Sequence, residues 1–344
     1  MNARSESLML QEARDAPRAV ERLLAGSGEA IDALAHVLRQ SSIRTVATIA
    51  RGSSDHAANF VGYLLMARLG IVTTSLPPSV VTLHQAPINT ECLAAIAFSQ
   101  SGRSPDLIDA MMALRVRGAV TAAFVNDVAS PLAHAAQHTI DLHAGEERSV
   151  AATKSFISQL VAGVRLLATW AQDSALLDAL ARLPLSLDAA VRTDWSPAVE
   201  ALRSVDRLLV IGRGAGLFIA HEMALKFKET CGIQAEAFSG AEVKHGPMAL
   251  MESGYPVLVI APRGPTQRGL VEVADELRGR GAHVVLAAPG EITQAQLRIV
   301  DTGHEYLDGV SAIQSFYPMV EALARMRGLD PDKPRHLSKV TRTQ

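Results

Sequence analysis

The chain has little that would tie it to an oxidising compartment, a charged polymer or a membrane. It holds only two cysteines, Cys92 and Cys231, in 344 residues. They lie far apart in apolar surroundings, which excludes a disulfide framework and predicts buried thiols in a reducing cytoplasm. The formal net charge is -2, so no excess of one sign is present to grip nucleic acid or an anionic lipid surface. No apolar run reaches the length of a membrane span, and the charged N-terminal residues Arg4, Glu6, Glu12 and Asp15 are not expected to act as a signal peptide. No Cys/His cluster has metal-ligand spacing. His84, His134, His138 and His143 are scattered and are expected to be ordinary histidines. Neither a metal nor a cofactor is expected.

What is present is length enough for two domains with real cores, at 48% hydrophobic residues. The apolar run 93–98 reads as a buried strand, and it stops at Ser99-Gln100-Ser101-Gly102-Arg103-Ser104. Pro105 suits a first helical turn, where its missing N–H costs nothing, and Asp106 suits the positive helix end. The three hydroxyls therefore stand where a strand hands over to a helix N-terminus, a place that favours anions. No lysine lies in the loop and no Walker pattern is present, which argues against a nucleoside triphosphate and for a single phosphate on a small molecule. On the loop alone, a Ser/Gly-rich connection that binds nothing fits equally well.

Residues 7–40 are helical in pattern, broken at Gly26-Ser27-Gly28, and predict a leading arm. From Thr45 short β-branched runs alternate with helical ones. Strands are expected at 46–50, 71–76, 120–125 and 138–142 besides the one ending at Ser99, and a long helix is expected over 150–172. That alternation predicts a parallel sheet covered by helices on both faces. Residues 173–200 read as a helical connector punctuated by Pro184 and Pro197. The pattern then begins again. Leu209-Val210-Ile211-Gly212-Arg213-Gly214 echoes Ala47-Thr48-Ile49-Ala50-Arg51-Gly52, and Cys231-Gly232-Ile233 echoes Leu69-Gly70-Ile71 at the same offset. The fold class expected is α/β, as a tandem duplication of one parallel-sheet unit. The divisions read from this are an arm at 1–44, a first domain at 45–172, a connector at 173–200, a second domain at 201–315, and a C-terminal helix and tail at 316–344.

The halves differ in chemistry. The serines of the first have no counterpart in Ala261-Pro262-Arg263-Gly264, while Lys226-Phe227-Lys228-Glu229 replaces apolar residues of the first half. One half would hold an anion and the other would supply acid–base groups. Gly212-Arg213-Gly214-Ala215-Gly216-Leu217 lacks the third glycine of a dinucleotide fingerprint and reads as a tight turn. Lys226 and Glu229, three apart on an apolar helix, have the spacing of a surface ion pair. Glu236, Glu242, Lys244 and His245, set among Gly240, Gly246 and Pro247, suggest a positioned histidine or an ordinary polar loop. The proline-rich end at 330–339 reads as a frayed tail or as a lid carrying a lysine.

Four separated motifs carry a family pattern: Ser-Gln-Ser-Gly-x-Ser at 99–104, Ala-Leu-Lys-x-Lys-Glu at 224–229, Glu-x-Lys-His-Gly-Pro at 242–247 and Pro-Arg-x-Leu-x-Lys at 334–339. They resemble the sugar isomerase (SIS) domain family, in the branch of the isomerase half of glucosamine-6-phosphate synthase and the SIS-type glucosamine-6-phosphate deaminases. The resemblance runs from near residue 45 to the end and implies tandem flavodoxin-like domains. It implies that Ser54, Ser99, Gln100, Ser101 and Ser104 hold a sugar 6-phosphate. Glu229 would shuttle a proton between C1 and C2, with Lys226 at the substrate beside it. His245 would open the sugar ring, delivered from the neighbouring subunit of a homodimer. Lys339 would form a Schiff base with the open-chain ketose on a tail that closes over the site, and Val150 and Ala152 would contact sugar hydroxyls. Two positions depart from the family pattern: Arg103 stands where an acidic residue is frequent, and Ala152 stands where serine is.

The expectation is a cytoplasmic enzyme that converts glucosamine 6-phosphate to fructose 6-phosphate and ammonia. No cysteine precedes Cys92, so no glutaminase segment is expected, which favours the deaminating direction. The alternatives are a fructosamine-6-phosphate deglycase, a transaminase fed by a separate glutaminase subunit, and a non-catalytic sugar-phosphate sensor. Residues 1–44 hold no basic helix-turn-helix arm of the kind such a sensor carries.

Overall fold

The computed structural model describes residues 6–339. Two helices lead, α1 (Leu8–Gly26) and α2 (Gly28–Gln40). A first series follows: β1 (Thr45–Ile49), α3 (Ser53–Leu69), β2 (Val72–Ser75), α4 (Pro78–Thr82), β3 (Leu93–Ser99), α5 (Pro105–Val116), β4 (Val120–Val125), α6 (Pro131–Ala135) and β5 (His138–Asp141). Helices α7 (Lys154–Trp170), α8 (Ser174–Ala190) and α9 (Ser196–Leu202) come next. The second series is β6 (Arg207–Gly212), α10 (Ala215–Cys231), β7 (Gln234–Ser239), β8 (Pro256–Ile260), α11 (Gln267–Gly279), β9 (His283–Ala288), β10 (Leu297–Arg298) and α12 (Glu305–Met326). Two 3-10 turns, Glu242–His245 and Pro247–Leu250, separate β7 from β8.

The chain divides into two units. One holds Arg18–Glu147, Lys154–Ala181 and the last described residues, Ser338 and Lys339. The other holds the beginning of α1 up to Pro17, Arg148–Thr153 and Arg182–Leu337. We call them the amino-proximal and carboxy-proximal units. The first contains a five-stranded sheet of order β2-β1-β3-β4-β5 and the second one of order β7-β6-β8-β9-β10, with all pairings parallel. This is the doubly wound order in which the chain reverses direction between the first and third strands, so right-handed crossovers place helices on both faces.

The burial pattern follows from that arrangement. All seven residues of β3 are buried, as a central strand covered on both faces requires. Ala47, Ile49, Ala95, Ala97, Ala123 and Val125 alternate onto one face and pack with Leu107, Ala110, Met111 and Leu114 of α5. The carboxy-proximal unit repeats this with Leu209, Ile211, Val257 and Val259 against Leu270, Val273 and Leu277 of α11. Each fully buried leucine or methionine contributes about 1.5–3 kcal/mol of transfer free energy. Phe98 and Phe124 sit in register on neighbouring strands with rings 4.8 Å apart, which stiffens the sheet where the serine loop leaves it.

Three expectations need correction. Cys231 is buried, but Cys92 is half-buried and adopts a left-handed backbone with φ of 54°. Pro184 lies inside α8 and does not end it. The apolar stripe Leu176, Leu180, Leu183 and Leu187 is buried on both sides of the proline, and that packing outweighs its missing hydrogen bond. Helix α7 starts at Lys154 and not near residue 150. Upstream the amides of Arg148 and Ser149 are taken by the Glu12 carboxylate, and the Ser155 amide is capped by Glu147.

Candidate active site

In the amino-proximal unit β1 and β3 are adjacent and parallel, with Ile49 opposite Ala97. The turns leaving their C-terminal ends, Gly52-Ser53-Ser54 and the 99–104 loop, therefore meet at the point of strand-order reversal, where open α/β sheets bind ligands. The Ser99 hydroxyl oxygen accepts from Gly102 N at 3.0 Å, and that of Ser101 accepts from Arg103 N at 3.3 Å. Each keeps its own O–H to donate. Ser104 precedes α5 in an extended conformation and makes no side-chain cap bond. Gly102 has φ of 63°, and a Cβ there would lie 2.1 Å from Ser130 Oγ, so both backbone and space demand glycine.

Two arginines near the loop are already engaged. Arg51, at the end of β1, donates to the buried Asp106 of α5 at 3.0 and 2.7 Å, and Arg103 donates to Asp127 at 2.8 Å. The loop thus presents neutral hydroxyls and a helix N-terminus, the donor set a phosphate monoester takes without a fixed cation. Ser54, in the first turn of α3, accepts from Gln159 Nε2 of α7 at 2.9 Å. Val150 and Ala152, of the carboxy-proximal unit, are half-buried ahead of α7, and in the amino-proximal unit Gln100 is half-buried in the serine loop.

Lys339 belongs to the same unit and donates to Glu147 Oε2 at 2.8 Å. Glu147 is fully buried and also accepts from Ser155 N at 3.0 Å and Ser155 Oγ at 2.7 Å. Burial pushes its carboxyl up, but the Lys339 ammonium and the Ser155 bonds outweigh that and hold it below its ordinary value. Sequence reasoning missed Glu147 and gave Lys339 no carboxylate partner. The signal was a lone glutamate inside an irregular run, which carries nothing without the fold.

In the carboxy-proximal unit Glu222, Lys226 and Glu229 fall four and three residues apart on α10, which places them on one stripe of the helix. Lys226 Nζ donates to Glu229 Oε2 at 2.6 Å and stands 3.3 Å from Glu222 Oε1. The surface-pair reading of Lys226 and Glu229 fails: the lysine and Glu222 are buried, with side-chain exposures of 1% and 0%. Burial would lower the Lys226 ammonium, but the two carboxylates dominate and hold it above its ordinary value. Glu222 was missed, although its position four residues before a buried lysine was legible.

Glu229 opens onto a cavity of about 890 Å³ whose wall includes Lys228, Arg327, Lys333, Arg335 and Leu337. Tail residues and Glu229 thus line one cavity, and the tail is non-helical as expected. Lys228, Lys333 and Arg335 make no side-chain hydrogen bond or ion pair among the described residues. The expected polar cluster around His245 does not form. Glu236 is exposed on the edge strand β7, Lys244 reaches away to Glu276 of α11 at 2.6 Å, and His245 is exposed on its 3-10 turn with no side-chain partner among the described residues. Period-2 exposure of an edge strand separates residues that adjacency in sequence had grouped.

Two doubly wound sheets, a hydroxyl loop at one reversal point and a buried carboxylate–lysine stripe in the other unit mark a tandem α/β protein. The chain belongs to the SIS domain family, whose model matches residues 40–169 and 201–296. Glutamine–fructose-6-phosphate aminotransferase of Methanothermobacter thermautotrophicus is 33% identical over 344 residues, or 97% of this chain. The chain spans 57% of the length of that relative. The crystal structure of a candidate phosphosugar isomerase from Silicibacter pomeroyi is 44% identical with a TM-score of 0.90, covering 95% of this chain and all of that one. The C-terminal domain of the glucosamine-fructose-6-phosphate aminotransferase of Francisella tularensis shares the fold, with a TM-score of 0.87 at 22% identity over 97% of this chain. Among the described residues, no helix is long and apolar enough to cross a membrane.

Proposed function

We propose that this chain is an amino-sugar phosphate deaminase/isomerase that converts glucosamine 6-phosphate to fructose 6-phosphate and ammonia. The observation that carries the reading is Glu229. Its Oε2 is held by Lys226, its Oε1 makes no bond among the described residues, and it lines a cavity large enough for a phosphorylated sugar. A carboxylate with one oxygen fixed and the other free is placed to take and return a proton.

The hydroxyls of Ser99, Ser101 and Ser104, with Ser54 and Gln100, bind the 6-phosphate, and Val150 and Ala152 meet the sugar hydroxyls through their backbone. His245, supplied by a second copy of the chain in a homodimer, protonates the ring oxygen and opens the pyranose. Glu229 removes the C2 proton, the electron pair moves into the C1–C2 bond while the C1 oxygen takes a proton from water to give the enolamine, and the same carboxyl returns the proton to C1 as the nitrogen gives one up to water. The imine left at C2 is hydrolysed by water, and ammonia departs. Lys226 stays charged throughout and steadies the base. Lys339 assists or caps the open chain. Schiff-base chemistry at its nitrogen requires the pair with Glu147 to open first.

The test is ammonia release from glucosamine 6-phosphate by the purified chain, with fructose 6-phosphate identified as the product. Release supports the reading, and its absence contradicts it. A second reading has its own observation. Lys228, Lys333 and Arg335 line the cavity beside Glu229, and such cations suit a carboxylate attached through the substrate nitrogen. That would make the chain a deglycase of fructosamine 6-phosphates, shown by release of an amino acid in place of ammonia.

A further inference from the structure

The Val150–Ala152 backbone lies in a run without regular structure, residues 142–153. A run of that length keeps one conformation only if its backbone polar groups are held. Asn126, which donates to Gly145 O at 2.8 Å and accepts from Ala144 N at 2.9 Å, does part of this, and side chains of the two N-terminal helices and of Ser27 between them do more of it. In the amino-proximal unit Arg22 donates to the carbonyls of His143 and Ala144 at 3.2 and 3.4 Å, and Ser27 Oγ donates to Asp141 O at 2.7 Å. In the carboxy-proximal unit the buried Glu12 takes the end of the run. Its Oε1 accepts from Arg148 N at 2.5 Å and from Ser149 N at 3.2 Å, and its Oε2 lies 3.3 Å from Ser149 N. Those two amides immediately precede Val150.

Glu12 stands on a stem that is itself fixed. Ser7 caps α1: its Oγ accepts from Leu10 N at 3.2 Å and donates to Glu321 at 2.7 Å. Asp332, from the tail, accepts from Leu8 N and Met9 N at 2.8 Å each. With its first amides satisfied and an acid at its positive end, this turn does not fray. A buried carboxylate is costly unless bonded, and bonds from amides to an ion are roughly twice as strong as neutral ones. Placing such a group under two peptide N–H groups serves to fix a backbone.

We infer that Glu12 is a positioning residue that sets the Val150–Ala152 backbone against the sugar, making the N-terminal arm part of the active-site apparatus. What holds the segment rests on geometry alone, and what the segment meets rests on the proposed function.

The test compares Glu12→Gln and Glu12→Ala with the wild type. Glutamine is nearly isosteric but loses the charge and puts an NH2 group where Oε2 met Ser149 N, and alanine removes both acceptors. Without sugar, amide exchange over residues 145–153 is expected to accelerate about tenfold while β3 and β8 are unchanged. With glucosamine 6-phosphate, KM is expected to rise about tenfold and kcat to stay within about twofold, the signature of a contact shared by ground and transition states. Unchanged exchange at Arg148 and Ser149 overturns the inference. Faster exchange with KM unmoved also overturns it, because Glu12 is then a structural prop. If the alanine variant does not fold, the glutamine variant carries both readouts. A wild type that releases no ammonia strikes the proposed function alone, and the sugar-free exchange still decides whether Glu12 holds the segment.

Discussion

Lys226 donates to Glu229 at 2.6 Å and stands 3.3 Å from Glu222, so one buried ammonium is shared by two carboxylates on a single stripe of α10. The sharing fixes the base and makes the stripe vulnerable, because the buried ammonium and the buried Glu222 carboxylate each lose an ion partner when the other is removed. Lys226→Met leaves Glu222 buried without its cation and is expected to cost about 3–5 kcal/mol in urea unfolding. Adding Glu222→Leu restores much of that stability and none of the turnover. A Lys226→Met variant as stable as the wild type contradicts the arrangement.

Glu147 gives a pH dependence of defined sign. Its folded-state carboxyl lies below its ordinary value of 4.5. The stabilisation it contributes is therefore full above that value and is lost as pH falls through the lowered one. Glu147→Gln removes the titrating group. The stability difference between wild type and variant is expected to hold constant near neutrality and to shrink below pH 4.5. A difference independent of pH down to acid unfolding contradicts this.

The serine loop depends on Gly102. Alanine there brings Cβ onto Ser130 and strains a φ of 63°, so Gly102→Ala should destabilise the chain by about 1–3 kcal/mol. It should also abolish the rise in melting temperature that fructose 6-phosphate gives the wild type. Retained sugar-phosphate stabilisation would separate the loop from phosphate binding.

Ser101→Ala and Ser104→Ala each remove a hydroxyl donor, and kcat/KM for glucosamine 6-phosphate is expected to fall about tenfold or more in each. Weak binding of unphosphorylated glucosamine should not change. Equal losses for both sugars would place these serines elsewhere in the site.

How much of this was legible follows from what each signal depends on. The repeat of Leu209–Gly214 on Ala47–Gly52 foretold two sheets of one strand order, because a strand, its tight glycine turn and the following helix are local features. The serine loop was found at the end of β3 for the same reason. What escaped were pairings made by tertiary packing. The surface-pair reading of Lys226 failed because α10 is covered on the side that spacing rules leave to solvent. Glu147 and Glu12 carried no pattern, since their partners, Lys339 and Ser155 for the one and the Arg148 and Ser149 amides for the other, are placed beside them only by the fold. The start of α7 was misjudged for the same cause: apolar periodicity continued through 150–153, but two carboxylates had claimed the flanking amides.

The central claim is that Glu229 is the proton-transferring base. It is tested most directly by comparing Glu229→Gln with the wild type for ammonia release from glucosamine 6-phosphate and for the rise in melting temperature with fructose 6-phosphate. The account predicts release lost by about four orders of magnitude, with the melting shift retained, because glutamine keeps the shape and cannot accept the C2 proton. Turnover within about tenfold of the wild type in that variant would contradict it.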